Sequence, residues 1–217
     1  MFKQVFSRVL TRFFRCYRCY NSRWRLAGRG LTKTPIQFVR IVEAAGFVLK
    51  GIGGKTTKLP LLKLMYIADR ESIRRTGRSI SRDGYAAMEN GPILSTTYDM
   101  MKGPELFPLW RRYFSSGKDV DEVALNGDPG VNHLSNLDVE ILNWVLKNYG
   151  KMSPAQLREL THDFPEYLKR EPGGPTSNPI TMSDVLDALG QSDRKAKIDE
   201  DERKQELADK IFSKYSG

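Results

Sequence analysis

The side chains that could do chemistry are few and scattered in this chain of 217 residues. Its two histidines are His133 and His162, and its two cysteines, Cys16 and Cys19, form a C-x-x-C. A structural zinc site needs four ligands, and neither histidine is near the cysteines in sequence. We therefore predict two free thiols in a reducing cytoplasm. The sequence has no serine-nucleophile motif, glycine fingerprint or metal-ligand pattern, so it predicts no catalytic residue, metal or cofactor.

The glycine-rich stretch Gly51 to Lys55 raises the question of a nucleotide site, because Gly54-Lys55-Thr56 resembles the end of a phosphate-binding loop. That motif needs a glycine five positions before Gly54, where this chain has Leu49. A helical pattern, rather than a strand, also precedes the stretch. We therefore reject a nucleotide site and interpret the stretch as a loop.

Asp69 is the polar residue with the most interesting position. Met65 and Ile73 flank it on one helical face, so we predict that its carboxylate points into the domain. A buried carboxylate needs hydrogen-bond donors, and we expect them in the backbone amides near Asn90-Gly91. These donors would lower the pKa of the carboxyl. Since no base or nucleophile accompanies Asp69, we predict a structural tie rather than a catalytic role.

The elements around Asp69 are predicted from periodicity and from glycine and proline positions. A helix runs from about Lys58 to Arg75 and ends at Gly77, a residue suited to the left-handed position after a helix. An extended run from Ser79 to Glu89 follows, and we expect Pro92 to end it. A helix of the body precedes this region and begins at Thr34-Pro35.

The second half of the chain predicts a hairpin and a pair of helices. Asn126 to Gly130 is a dense turn signal between the apolar runs Val120–Leu125 and Val131–Leu134, which predicts a β-hairpin. Two capping boxes then predict two helix starts, the first formed by Ser135 with Asp138 and the second by Ser153 with Gln156.

Two blocks of the sequence, Lys58 to Pro92 and Leu134 to His162, resemble in the same order the Panacea domain, the family of SocA-like bacterial and phage antitoxins. The resemblance covers roughly residues 34–170. It implies a protein that binds and neutralises a toxin and has no chemistry of its own. The positions that we assign to the family signature, with structural or toxin-binding roles, are Lys58, Leu61, Lys63, Tyr66, Asp69, Tyr85, Ala87, Asn90, Gly91, Pro92 and His162.

Three of these positions have competing interpretations. Lys58 and Lys63 are either solvated helix positions or the rim of a partner surface, and the sequence does not separate the two. His162 ends its predicted helix, where a cationic or donor side chain suits the free carbonyls of the last turn. We favour this capping interpretation over a functional role, although the resemblance covers His162.

The net charge of +9 is concentrated in an N-terminal arm, residues 1–33, which holds nine basic and no acidic residues. The rest of the chain has 26 basic and 26 acidic residues, so it has little general attraction for phosphate backbones. The arm has the pattern of an amphipathic helix, and such a helix could lie on an anionic membrane surface. A docking helix, a disordered tail or a start site placed too far upstream are the alternatives, and we favour an appendage over membrane contact.

We predict a mainly α (α+β) fold, a compact multi-helix domain with a small β-hairpin element. Residues 34–189 form this domain, and residues 190–217 form a charged helical tail. The predicted function is that of a cytoplasmic antitoxin that binds a toxin encoded by an adjacent gene. The resemblance also allows a proteolysis adaptor that delivers the toxin to a protease such as ClpXP. The alternative is a helix-turn-helix regulator that binds an operator DNA through Gln156 and Arg158.

Overall fold

The computed structural model describes residues 35–103, 107–116, 121–198, 200, 201, 203, 204 and 207. The N-terminal arm, with Cys16 and Cys19, lies outside these residues, as does most of the end of the tail. The described fold is mainly α-helical with two small antiparallel sheets, which confirms the predicted class.

The described helices are α1 Pro35–Gly51, α2 Lys58–Thr76, α3 Ser95–Lys102, α4 Pro108–Tyr113, α5 Asn136–Tyr149, α6 Pro154–His162, α7 Pro165–Leu168 and α8 Met182–Ala188. The described strands are β1 Lys55–Thr57, β2 Tyr85–Met88, β3 Gly91–Leu94, β4 Phe114–Ser116, β5 Glu122–Leu125 and β6 Asn178–Ile180.

Helix α2 is the centre of the domain. Thirteen of its 19 residues are buried, including the polar Lys63, Asp69, Glu71 and Ser72, because other elements cover nearly its whole circumference. It packs against α1, α5, α6 and β3. Gly77 ends it in the left-handed conformation (φ 78°) and donates its backbone N–H to Ile73 O, as the sequence predicted.

One sheet has the strand order β3-β2-β6. Strands β2 and β3 form a hairpin in which Met88 pairs with Gly91, so Glu89 and Asn90 make its two-residue turn. Pro92 does not end the extended region as expected: it lies within β3, opposite Ala87. β3 is at the edge of the sheet, where a residue without a backbone N–H is tolerated.

The other sheet, of order β1-β5-β4, corrects the predicted hairpin. Residues Glu122–Leu125 do form a strand, but it pairs with β1 and β4 rather than with Val131–Leu134, which is not a strand. The predicted turn residues instead belong to a segment that runs along α1. Pro129 packs against Gly46, and Asp128 pairs with Lys50 at 2.6 Å.

The predicted capping boxes are present at the starts of α5 and α6, and Thr181 with Asp184 forms a third at α8. The first part of the tail packs on the domain. Gln191 Nε2 donates to the backbone oxygen of Arg74 at 2.8 Å, and Ile198 lies beside Gly77. Among the described residues, no helix is both long and apolar enough to cross a membrane.

Candidate functional site

Lys63 lies at the centre of the candidate site and is only 1% exposed, so its interpretation as a solvated helix position is wrong. Its place on α2 directs the side chain towards β3, where Nζ donates a hydrogen bond to the backbone oxygen of Pro92 at 2.7 Å. Burial, together with the nearby charge of Arg158, lowers the pKa of Lys63 to about 7. The charged ammonium therefore gains less free energy from its contacts here than it loses in hydration.

Gly91 closes the site from the side of the hairpin. Its φ of +91° is in the left-handed region that favours glycine. A Cβ at this position would lie 2.7 Å from Lys63 Nζ, 2.8 Å from His162 Cδ2 and 3.2 Å from His162 Nε2. Lys63 and His162 therefore approach the same side of Gly91, and a residue with a side chain would displace at least one of them.

His162 ends α6, but its ring does not cap that helix. The ring packs against Tyr167, with centroids 4.7 Å apart, and its Nε2 is buried without a hydrogen bond. Thr161, rather than His162, donates to carbonyls of the last turn, those of Leu157 and Arg158. The capping interpretation is therefore wrong, because the position of α6 turns the histidine towards α2 and the hairpin.

The pKa of His162 is lowered by burial and by the positive charges of Arg158 and Lys63, while the Asn90 backbone and the Glu171 carboxylate act in the opposite direction. Arg158 is exposed on α6 and its Nε donates to Asn90 Oδ1 at 3.1 Å. We call Lys63, Arg158 and His162 the basic cluster. Two helices that are distant in sequence, α2 and α6, thus bring basic side chains together beside a tight glycine of the hairpin.

Tyr167, which follows on α7, supports the cluster from the other side. Its ring covers that of His162, and its hydroxyl donates to the backbone oxygen of Met88 at 3.1 Å. The hairpin is thereby held by both α2 and α7. Sequence reasoning missed this residue, because nothing in the local pattern of Pro165–Leu168 indicates a contact with a strand nearly 80 positions earlier.

Asp69 belongs to a second group on α2, which we call the carboxylate cluster: Asp69, Ser81 and Tyr85. The predicted burial of Asp69 is confirmed at 1% exposure, but its predicted partners near Asn90-Gly91 are wrong. It accepts hydrogen bonds from the backbone N–H of Ser81 at 2.9 Å, from the Ser81 hydroxyl and from the Tyr85 hydroxyl at 3.1 Å. It ties α2 to the loop before β2 rather than to the turn after it.

The expected pKa shift of Asp69 is also wrong in direction. Burial raises the pKa of its carboxyl to about 6, while the donors from Ser81 and Tyr85 oppose that rise. The nearby charge of Asp83 acts in the same direction as burial. The sequence indicated that this carboxylate needs donors, but not which groups donate or how completely the fold excludes water from it.

Asp83 was not singled out from the sequence, yet it holds the start of α3. Its carboxylate accepts the backbone N–H groups of Thr96 at 3.0 Å and Thr97 at 2.9 Å. Leu94 stands at the N-cap position of α3 and supplies no side-chain hydrogen bond, so Asp83 performs this role from the far end of the hairpin. The pairing of β2 with β3 places it there.

Tyr66 lies on α2 between Lys63 and Asp69, and its contacts have a structural role. Its ring packs edge-on against Tyr85, with centroids 5.3 Å apart, and its hydroxyl donates to Glu166 Oε1 at 3.2 Å. Arg70 Nε also donates to that oxygen, at 2.7 Å, and its guanidinium lies 4.3 Å from the ring centroid of Phe164. Burial and the Glu166 charge raise the pKa of Tyr66.

The remaining signature positions belong to neither cluster. Lys58 pairs with Asp121 at 3.4 Å beside the β1-β5-β4 sheet, while Leu61 and Ala87 are core residues without exposed surface. The structure thus brings Lys63, Asn90, Gly91, Pro92 and His162 together and joins Tyr66, Asp69 and Tyr85 next to them.

The other histidine, His133, has a structural contact with α1. Its backbone N–H donates to Glu43 Oε2 at 2.8 Å, and its Nδ1 lies 2.7 Å from Glu43 Oε1. Glu43 is 2% exposed, so this pair fixes the segment before α5. Within the part of the chain that the structure describes, no group of three or more His, Cys, Asp or Glu side chains is placed to hold a metal ion.

These positions lie in a helical domain in which the β2–β3 hairpin is held against the central helix α2. Residues 61–167, just under half of the chain, match the family model described as antitoxin SocA-like, Panacea domain. This part of the chain, which contains both clusters, is therefore similar to the SocA-like, Panacea domain family. Comparisons with curated proteins and with solved structures gave no match.

Proposed function

We propose that the chain is an antitoxin that neutralises a cognate toxin by direct protein–protein binding in the bacterial cytoplasm. The observation that carries the proposal is the antitoxin-like Panacea domain over residues 61–167. Neutralisation by binding needs a rigid scaffold and an accessible surface, and it needs no catalytic group. The tight anchoring of the hairpin to α2 and α7, through Lys63 and Tyr167, supports such a scaffold.

A DNA-binding regulator is the second candidate, because α5 and α6 are separated by four residues in a helix-turn-helix order. One contact favours the antitoxin. Gln156 Oε1 accepts the backbone N–H of Ser153 in the capping box, so one of the two proposed base-reading side chains has a partner within the protein. Glu159 is exposed on α6 and Asp163 is exposed directly after it, and both would repel phosphates.

Co-expression tests the proposal. The product of the adjacent gene should stop growth when expressed alone, and this chain should restore growth and co-purify with it. Restored growth without detectable complex would overturn direct binding. A gel-shift assay with the upstream DNA tests the alternative function, because a DNA-binding regulator should give a shifted band that weakens as the salt concentration rises.

The adaptor role makes a separate prediction that can be read in the same cells. If the chain also delivers the toxin to a protease, the toxin should be degraded faster in its presence, and deletion of the protease should restore the toxin level. A toxin half-life that does not change with the protease leaves neutralisation by binding alone.

A further inference from the structure

The basic cluster differs from three half-buried arginines of the domain, because neither Lys63 nor Arg158 forms an ion pair with a described carboxylate, and the Glu171 carboxylate acts on His162 without forming an ion pair. Arg40 pairs with Asp138 at 3.0 Å, Arg70 with Glu166 at 2.7 Å and Arg170 with Asp184 at 3.0 Å. In the described part of the chain, Lys63 donates to a carbonyl and Arg158 to an amide oxygen, and neither forms an ion pair.

His162 adds a second observation at the same place. Its Nε2 is buried and has no hydrogen-bond partner, whereas buried polar atoms normally have one. The Lys63 and Arg158 charges both act on this ring, so a proton on His162 would add a further positive charge to the group. An anion at this surface would remove the mutual repulsion and favour the charged forms.

The cluster is accessible through Arg158. This side chain is exposed, and its bond to Asn90 uses Nε alone, so its two terminal nitrogens donate to no described residue. A guanidinium with free terminal nitrogens matches the two oxygens of a carboxylate. The buried Lys63 lies beneath and contributes positive potential without direct contact.

We propose that the basic cluster of Lys63, Arg158 and His162 receives an acidic side chain of the protein partner, with Arg158 in direct contact. This inference rests on the proposed function, since it gives the toxin-binding surface its chemistry. Charge distribution decides between a carboxylate and a nucleic acid. Glu159 on α6 and Asp163 directly after it are exposed and lie close to Arg158 in sequence, which disfavours a chain of phosphates more than a single carboxylate.

The first experiment uses an acetylated triglutamate peptide, so it does not depend on knowing the toxin. The peptide is titrated into the full-length ¹⁵N-labelled protein, and amide shifts are followed by NMR. We expect shifts at Asn90, Gly91 and His162, with an affinity that Arg158→Glu lowers at least tenfold. Arg158→Lys, which keeps the charge but not the two-pronged geometry, should have an intermediate effect.

The matched control is Arg111→Glu, which makes the same change in net charge at an exposed arginine of α4. It should leave the shifts at Asn90 and Gly91 unchanged. Residue-resolved shifts also separate the cluster from any binding of the peptide to the basic N-terminal arm. All variants should keep the thermal midpoint of the wild type, because both arginines are exposed.

The inference is overturned if the peptide leaves these amides unshifted, or if Arg158→Glu and Arg111→Glu behave alike. A short single-stranded DNA that shifts the same amides more strongly than the peptide would assign the cluster to nucleic acid instead. With the toxin, co-purification of wild type and Arg158→Glu alike would reject this surface and leave the proposed function intact. Failure of the wild type itself to bind any toxin would reject the function, while the peptide result would still decide the chemistry of the cluster.

Discussion

The carboxylate cluster and the basic cluster lie on the same helix, with Asp69 and Lys63 six positions apart, and the fold treats their charges differently. Asp69 has three donors, two from Ser81 and one from Tyr85. Lys63 has a single carbonyl acceptor and two basic neighbours. A charge that the protein satisfies internally holds the fold together, whereas we infer that the unmatched charge of the basic cluster acts on a partner through the exposed Arg158.

Both clusters anchor the β2–β3 hairpin region, but at opposite ends. The carboxylate cluster fixes the loop that enters β2, and the basic cluster lies under the turn that leaves it. The entrance loop includes Arg82, which has a positive φ of 54°. Asp69 accepts the backbone N–H of Ser81, just before Arg82, and Asp83, just after Arg82, accepts that of Thr96. These two carboxylates hold the loop in place.

The largest effect on stability is expected from Asp69→Ala. It leaves the Ser81 amide, the Ser81 hydroxyl and the Tyr85 hydroxyl without an acceptor in a buried site, which should lower the free energy of unfolding by about 3 kcal/mol. Asp69→Asn keeps one acceptor and should lose roughly half as much. Urea denaturation measures both values.

The matched control for Asp69 is Asp121→Ala, because the Asp121 side chain is 79% exposed and should contribute less than about 1 kcal/mol through Lys58. Toxin neutralisation should follow the folded fraction in each Asp69 variant. If Asp69→Ala resists urea and heat like the wild type but does not neutralise the toxin, the residue belongs to the binding surface and the contrast between the clusters fails.

Gly91→Ala should have the next largest effect, and it acts on both stability and the basic cluster. A residue with a Cβ at φ +91° is strained, typically by ~1–3 kcal/mol, and the methyl group would also collide with Lys63 and His162. Differential scanning calorimetry should show a lower midpoint. Gly173→Ala is the control, since its Cβ would meet no atom within 4 Å, and a midpoint equal to that of Gly91→Ala would contradict the packing.

Lys63→Met tests the cost of the buried ammonium through its pH dependence. The pKa of Lys63 is lowered to about 7 from 10.5, so between these values the folded state binds fewer protons than the unfolded state. Stability should therefore rise from pH 7 to pH 9, by at most about 1.4 kcal/mol per pH unit, and Lys63→Met should lose this rise. Arg158 and His162 face Lys63 and remain in the variant, but Arg158 stays charged and the pKa of His162 is lowered from 6.5, so neither titrates between pH 7 and pH 9. A slope that persists in Lys63→Met would therefore contradict its assignment to Lys63.

Asp69 should give a pH dependence of opposite sign at lower pH. Its pKa is raised to about 6 from 3.8, so the folded state binds more protons than the unfolded state in that interval. The contribution of Asp69 to stability should fall as the pH rises from 4 to 6, and Asp69→Asn should remove this fall. The test is to measure the urea midpoints of the wild type and of Asp69→Asn at pH 4, 5 and 6. Parallel curves would show that a group other than Asp69 causes the pH dependence.

The smallest effect on stability is expected from deletion of residues 1–33. The body from residue 34 has balanced charges, and the domain boundary that we propose lies there. Both clusters should survive, with a thermal midpoint changed by no more than about 2 °C, because terminal segments contribute little to a core. Neutralisation should also survive. A large loss of midpoint would show that the arm is part of the domain, and a selective loss of vesicle binding would favour a membrane role.

Features that depend on a few neighbouring residues were predicted correctly from the sequence. The capping boxes at Ser135 and Ser153 and the left-handed Gly77 were identified, because each motif uses side chains and backbone within four positions. The hairpin at Asn126–Gly130 was wrong for a related reason. A turn signal indicates where the chain bends but does not identify which strand the flanking segments will join.

The two clusters were predicted in part. Asp69 was expected inside the domain from its helical face. Lys63 was predicted to be either a solvated helix position or the rim of a partner surface, both of them exposed, because the helical period of α2 does not reveal that other elements surround the helix. His162 was assigned to its own helix end, which is the nearest candidate in sequence. The contact with Gly91, 71 positions earlier, depends on how α6 packs against the hairpin.

The sequence by itself determined the positions of most helices, the mainly α class and the family resemblance of residues 61–167, because periodicity, caps and family motifs are local and cumulative. Only the tertiary structure decided the partners of Asp69, the burial of Lys63 and the approach of Arg158 and His162 to Gly91. The physical reason is that desolvation and hydrogen bonding depend on every element that surrounds a group. Whether a charged side chain is matched within the chain is therefore settled when the whole domain packs.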